Sequence, residues 1–212
     1  MSLTRNIPPI GERTIDGFKS RLLQGGARPN LFEVEFNFPI PIKGINPINE
    51  IESDDKFRMM IKGAQLPASN VAEVVVPFRG RQLKVAGDRR FGPWTITILN
   101  DGDFNIRDAF EKWSNFILKV SDGSGAVNPN DYQEDWVVHQ LGRGAGDLTV
   151  PGKSNENPLP YLRSYRMKGC WPSSISAQEL SYDSADTIEE FQVTMQVQYW
   201  EAFDQDGNES IV

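Results

Sequence analysis

The sequence predicts a mainly β fold with one long amphipathic helix, and three observations carry this prediction. Several segments alternate apolar and polar residues, which places successive side chains on opposite faces of a strand. The 18 Gly and 14 Pro are spread along the chain, as is typical of many short strands joined by turns. A single long segment instead repeats its apolar residues with helical spacing.

Alternation identifies the strands in chain order. The strong patterns lie at 31–38, 71–78, 82–86, 94–99 and 191–200. Weaker patterns lie at 57–61, 136–141, 161–167 and 177–182. The 191–200 segment is the clearest, because every second residue from Phe191 to Tyr199 is apolar and each residue between them is Gln or Thr. Each alternating segment predicts a half-buried strand with one apolar face.

The 71–78 and 82–86 strands flank Arg79-Gly80-Arg81, which predicts a hairpin with Gly80 in its turn. The tip combines two cations with an aromatic residue, and both kinds of side chain are common in protein interfaces. The alternative is a turn that faces only solvent. The residues that an interface here would use are Val74, Val76, Phe78, Arg79, Arg81 and Leu83.

The helical segment carries one apolar stripe with spacings of four, three, four and three residues. The stripe consists of Ile106, Phe110, Trp113, Ile117 and Val120. It predicts a helix over about 105–120 that packs one face against the core. An Asp or Asn just before the stripe suits the N-cap, and the DGSG run at 122–125 suits the end of the helix.

The remaining segments predict shorter elements. An amphipathic stretch at 15–23 predicts a second, short helix. Residues 39–55 and 143–160 are rich in Pro, Gly, Asn and Ser and predict loops. Residues 204–212 predict a polar tail.

Composition excludes several classes of function. The formal net charge of −7, from 22 basic and 29 acidic residues, argues against tight nucleic-acid binding, which usually needs a basic surface. We expect no membrane span and no secretory signal, because no apolar run has the required length. One Cys and one His exclude an internal disulfide and a Cys/His zinc site.

The residues with catalytic chemistry do not form a set. His139 lies in an alternating strand pattern, and Cys170 follows a Gly in an apolar context. We interpret His139 as a strand side chain whose hydrogen bonds are satisfied and Cys170 as a small buried hydrophobic residue. We therefore expect no catalytic residue, cofactor or metal. The five Trp fall mostly beside apolar partners, which favours core or subunit-interface packing over a ligand-stacking platform.

The chain carries a series of short motifs in a definite order. In order these motifs are ARPNLF (27–32), KGAQLPA (62–68), VAGDR (85–89), WTIT (94–97), ND (100–101), KGCWP (168–172), SYDS (181–184) and YWE (199–201). No single motif is diagnostic, but the ordered set, which covers roughly residues 21–201, resembles the tail tube proteins of contractile-tailed bacteriophages.

The resemblance implies a two-sheet antiparallel β-sandwich or partial barrel with one helix, a fold also found in type VI secretion tubes. It further implies hexameric rings that stack into a hollow tube inside a contractile sheath and conduct DNA. The expected partners are copies of itself, the tail sheath protein, the baseplate tube initiator and the tail terminator, with no stable membrane association. The expected location is the virion tail, assembled in the host cytoplasm.

The same resemblance divides the chain and leaves alternatives open. It implies an N-terminal extension at 1–26, one domain at 27–203 and the tail, with 39–55 and 143–160 as insertions. A tube-initiating or tube-terminating ring protein would share the fold. A monomeric β-barrel that binds a ligand through its Trp residues is the alternative from a different class.

One neutral polar face is predicted to line the channel of such a tube. It consists of Thr95, Thr97, Gln192, Thr194, Gln196 and Gln198. Without a fixed cation, this face would not hold passing DNA through its phosphates. Alternation separates the two faces of a strand but does not say which space each face meets, so an outer solvated face is the alternative.

Overall fold

The computed structural model describes residues 14–22, 26–48, 51, 56–142, 161–178, 180–203 and 209–210. The predicted loop at 143–160, the first half of the N-terminal extension and most of the predicted tail lie outside these residues. The helices are α1 (Ile15–Arg21), α2 (Ile40–Lys43), α3 (Lys56–Met60), α4 (Asn105–Ile117) and α5 (Pro129–Tyr132). The strands are β1 (Phe32–Glu35), β2 (Ile61–Gln65), β3 (Ser69–Phe78), β4 (Arg81–Phe91), β5 (Trp94–Leu99), β6 (Glu134–Leu141), β7 (Tyr161–Ile175), β8 (Glu190–Gln196), β9 (Tyr199–Phe203) and β10 (Glu209–Ser210).

The long strand β7 joins two antiparallel sheets. Its first part lies between β6 and β9, with β1 beyond β6 and β10 beyond β9. Its last part pairs with β8, which is followed by β5 and β2. Apolar residues of both sheets share one buried cluster, so the sheets pack face to face. The mainly β, antiparallel fold class is thus confirmed.

Gly169 allows β7 to change its partner from β9 to β8. Lys168 still pairs with Tyr199, whereas Trp171 already pairs with Gln196. Between them Gly169 has a φ of +61°, which side-chain-bearing residues rarely adopt. A Cβ at this position would lie 2.7 Å from Cγ of Gln198. The bend between the two sheets therefore requires glycine.

We expect Gly169→Ala to lower the free energy of unfolding by about 1–3 kcal/mol, the typical cost of a strained backbone position. A urea melt of the purified protein measures the effect. The matched control is Gly102→Ala, where φ is not positive and no atom lies within 4 Å of the added Cβ. Equal midpoints for the two variants would contradict this account of the bend.

Helix α4 covers the core between the sheets. Ile106, Phe110 and Trp113 are fully buried, and Ile117 packs partly against the same cluster. Helix α4 begins after Phe104, so neither Asp103 nor Asn105 is its N-cap residue. A network of aromatic rings centred on Trp136 fills the space beneath the helix. Its members include Phe38, Phe57, Trp94, Phe110, Trp113 and Trp136, with neighbouring centroids about 6 Å apart.

The predicted stripe is wrong at its last residue. The helix ends at Ile117, and Val120 lies in the following turn with 87% of its surface exposed. Leu118 is already extended, and the backbone N–H of Lys119 donates to the carbonyl of Ser124 across the turn. Asp122 accepts hydrogen bonds from Ser124 and Lys119, which lower its pKa to about 2. Because of this turn, the helix ends before Val120, the last residue of the predicted apolar stripe.

Four predicted strands differ from the structure. The 31–38 pattern gives a strand only over Phe32–Glu35. Residues 57–61 form most of α3 and only the first residue of β2, because a pattern of five residues does not separate a strand from one helical turn. The described residues of 177–182 carry no strand. The 191–200 segment is not one strand but two, since the chain bends at 197–198 and the Gln198 N–H donates to the Lys168 carbonyl.

The predicted loop at 39–55 contributes to the core. It contains α2, and Ile42, Ile48 and Ile51 are all buried. The predicted tail also contains structure, because β10 pairs with β9. In the described part of the chain, no helix is both long and apolar enough to cross a membrane.

Candidate assembly surfaces

The β3–β4 hairpin forms a two-stranded sheet of its own, separate from the two main sheets. It runs from Ser69 to Phe91, longer at both ends than the sequence pattern predicts. Arg79 and Gly80 both have positive φ, as in the type I′ turns that favour tight hairpins. Near its base, the ring of Phe91 packs edge-on against Trp200.

One face of the hairpin is apolar and exposed. Cross-strand partners in an antiparallel pair share a face, so the register sets its composition. The face carries Val74, Val76, Phe78, Leu83 and Val85, together with Arg81. Phe78 is 65% exposed and Leu83 60%. The sequence-predicted residues therefore share one face, with Arg79 in the turn, and Val85 is the apolar member that the prediction missed.

The opposite hairpin face is mixed. Val75 pairs with Lys84, and Pro77 pairs with Gln82. Lys84 Nζ lies 2.8 Å from a carboxylate oxygen of Glu73. The apolar residues are thus concentrated on a single side of the projecting element. An exposed strand pair with one apolar face is typical of a surface that binds another protein.

The second surface is the outward face of the sheet formed by β2, β5, β8 and the end of β7. Thr95 pairs with Thr194, and Thr97 pairs with Gln192. The residues between them face the core and are at most 1% exposed: Trp94, Ile96, Ile98, Phe191, Val193 and Met195. We call the outward side the polar face.

Neighbouring strands extend the polar face beyond the residues predicted from sequence. Gln65 on β2 lies beside Thr95, and Ser174 on β7 lies beside Thr194. Gln196 donates from Nε2 to Ser173 Oγ at 3.2 Å. The prediction missed these residues because their strand segments are short and alternate weakly, although the serine run at 173–176 is visible in the sequence.

Gln198 does not belong to the polar face. The strand that carries the other predicted residues ends at Gln196, and Gln198 lies in the bend that leads to β9. Among the described residues of β2, β5, β8 and the 171–175 part of β7, the one basic side chain is Lys62, and it forms an ion pair with Glu190. The polar face is therefore neutral.

The two candidate catalytic residues, Cys170 and His139, are both buried. Burial raises the pKa of the Cys170 thiol to about 12, and the side chain is fully buried, an environment typical of structural rather than reactive cysteines. His139 is 9% exposed, with Nδ1 2.7 Å from Ser164 Oγ and the Tyr161 ring stacked on the imidazole. Among the described residues, no group of three or more His, Cys, Asp or Glu is placed to hold a metal ion.

The Trp residues do not form an exposed platform. Trp94, Trp113 and Trp136 are fully buried, and Trp171 and Trp200 are partly buried against the core. Trp94 and Trp113 pack against Trp136 in the core. The Trp171 ring contacts Tyr132, and the Trp200 ring contacts Phe91 and Tyr165, so each packs against another ring. This arrangement disfavours the ligand-binding barrel that the sequence left open.

An exposed strand pair with one apolar face is typical of the class of structural proteins that assemble through their surfaces. The chain belongs to the phage tail tube protein family, whose model matches residues 27–202. The tail tube protein gp19 of Enterobacteria phage T4 is 30% identical over 175 residues, which cover 82% of this chain and 91% of that protein. The tail tube protein of Serratia phage KSP90 is 25% identical over 197 residues, covering 89% and 96%.

Solved structures share the fold. The tube-terminating cap of the anti-feeding prophage has a TM-score of 0.53 at 13% identity, over 96% of this chain and 99% of the cap chain. A chain of the anti-feeding prophage baseplate has a TM-score of 0.53 at 14% identity, over 84% and 96%. The resemblance seen in the sequence motifs is confirmed: the chain is a structural subunit of a phage tail tube and a component of the virion tail.

Proposed function

We propose that six copies close into a ring and that rings stack into a hollow tube that conducts DNA inside a contractile sheath. The observation that carries this proposal is the four-stranded sheet behind the polar face. Among the described strands, its outer strand β2 has a partner on one side only, and so has the 171–175 part of β7. Unpaired edges of this kind bind other strands readily.

Ring closure satisfies both edges. β2 of one copy would pair with the end of β7 in the next copy, and the six sheets would form one continuous barrel. The anti-feeding prophage baseplate, which shares the fold, is described as six-fold symmetrised. In this arrangement the polar face of every copy points into the bore, and the apolar face of the sheet stays in the core of each subunit.

The chemistry of the polar face suits a conduit. Thr and Gln hydrogen-bond to water but carry no charge, so DNA would meet no cation that binds its phosphates. Lys62, at one end of the face, is neutralised by Glu190. DNA would therefore pass without tight binding.

The remaining contacts complete the proposal. The hairpin would join neighbouring subunits or rings through its apolar face. The outer surface would contact the tail sheath protein, and the two ends of the tube would meet the baseplate initiator and the tail terminator.

Assembly would take place in the host cytoplasm, without stable membrane association. We propose residues 27–203 as the assembling domain, 1–26 as an extension, and 204–212 as a tail.

Labelling of an introduced Cys tests which space the polar face meets. In a Cys170→Ser background, Gln196→Cys is expected to react with a bulky maleimide in dissociated subunits and to be protected in assembled tubes. The control is Glu111→Cys on the exposed face of α4, which lies on the core side of the sheet and should react in both states. Equal labelling of Gln196→Cys in both states would place the polar face outside.

Electron micrographs of the same samples distinguish long tubes from the single rings of an initiator or terminator.

A further inference from the structure

The hairpin and the segment at 177–190 lie at opposite ends of the polar face. β5 begins at Trp94, directly after the hairpin, and Trp94 pairs with Met195 near the end of β8. β5 ends at Leu99, which pairs with Glu190 at the start of β8, directly after the 177–190 segment. Six strand residues separate the two ends, which corresponds to about 20 Å.

Residues of the 177–190 segment line an open pocket of about 810 Å³. Its apolar members Leu180, Tyr182 and Ile188 are strongly exposed. The base of the pocket is tied to the sheet, because the Asn100 amide donates to a Glu189 carboxylate oxygen at 3.0 Å and Lys62 pairs with Glu190. The pocket thus exposes apolar side chains, and these two contacts fix its base to the sheet.

The two ends carry opposite charges. The hairpin, residues 69–91, holds five Lys and Arg against two Asp and Glu, although the whole chain has a net charge of −7. Residues 177–190 hold five Asp and Glu and no Lys or Arg. Within the part of the chain that the structure describes, Arg81 has no ion-pair partner, and neither have Asp183 and Asp186. Each end therefore has both apolar surface and uncompensated charge.

We propose that the hairpin tip of one copy docks into the 177–190 pocket of a second copy. Phe78 and Leu83 would pack among Leu180, Tyr182 and Ile188, and Arg79 and Arg81 would face Asp183 and Asp186. Because donor and acceptor lie at opposite ends of the subunit, the contact is head-to-tail and repeats along an axis. This inference rests on the proposed stacking of rings and names the surface that receives the hairpin.

A charge exchange tests the pairing. Arg79→Glu with Arg81→Glu should reduce the amount of sedimenting tube by about tenfold or more, because like charges that face each other across an interface repel. Asp183→Lys with Asp186→Lys should do the same, and the four substitutions together should restore tubes. The matched control is Asp131→Lys. Asp131 is an exposed carboxylate outside both the hairpin and the 177–190 segment, so this variant should assemble like wild type. A combined variant that assembles no better than either pair would overturn the pairing.

Cross-linking between two single-Cys variants gives an independent readout. In the Cys170→Ser background, Phe78→Cys copies are mixed with Ile188→Cys copies, allowed to assemble, and treated with a short bis-maleimide. A covalent dimer containing one copy of each is expected, and replacing Ile188→Cys by Asp131→Cys should abolish it. Tubes without this dimer would overturn the acceptor assignment and leave the stacked tube intact. Absence of tubes from the wild-type chain would instead contradict the proposed function.

Discussion

Trp113→Ala is expected to lower the free energy of unfolding by about 3–5 kcal/mol, the usual cost of truncating a buried Trp. Trp113 is completely buried, and its ring lies 5.6 Å from Phe38 and 6.2 Å from Trp136, centroid to centroid. Its indole N–H donates to the Tyr132 carbonyl at 2.9 Å. Truncation therefore leaves a cavity and an unpaired carbonyl, which together remove much of the roughly 5–15 kcal/mol of a typical domain.

A urea melt followed by tryptophan fluorescence and by circular dichroism measures this loss. The matched control is Val120→Ala, which removes apolar atoms from the position just beyond α4. Val120 is exposed, so the change should stay within about 0.5 kcal/mol. A Trp113→Ala variant as stable as wild type would show that α4 does not seal the core.

Val76→Glu combined with Leu83→Lys is expected to abolish tube formation and leave the fold of the subunit intact. Val76 and Leu83 are cross-strand partners on the apolar face of the hairpin, and both are exposed in the isolated chain. The introduced pair has opposite charges, which keeps the hairpin paired. The apolar surface is replaced by two charges that would have to be desolvated in an interface.

Electron microscopy and sedimentation count the tubes, and a urea melt checks the fold. The control is Val75→Glu on the mixed hairpin face, where the new carboxylate lies opposite Lys84. This control should assemble and should unfold within about 0.5 kcal/mol of wild type. Tubes as abundant with the Val76→Glu, Leu83→Lys pair as with wild type would remove the hairpin from the assembly contacts.

Local periodicity alone determined which faces of β5, β8 and most of α4 are buried. Ile96 and Val193 are buried and Thr97 and Gln192 are not, as the alternation of β5 and β8 predicts. The same holds for most of the α4 stripe. These predictions succeed because the direction of a side chain on a regular strand or helix depends only on its spacing from its neighbours in the chain. Val74, Val76 and Phe78 share one face for the same reason. Leu83 joins them because the turn consists of Arg79 and Gly80, one residue fewer than the predicted strands left between them.

Tertiary structure alone decided where elements end and which segments meet. Gln198 continues the alternation of β8, but the chain bends there to reach the other sheet, because Gln198 bonds to Lys168 some thirty residues earlier. Ile42, Ile48 and Ile51 enter the core from a segment without periodicity. Such outcomes depend on partners that are distant in the chain, and a pattern read along the chain contains only near neighbours. The sequence by itself therefore determined the class of fold and the faces of its regular strands. Long-range pairing decided that two sheets join through Gly169 and that the hairpin and the pocket lie at opposite ends of the polar face.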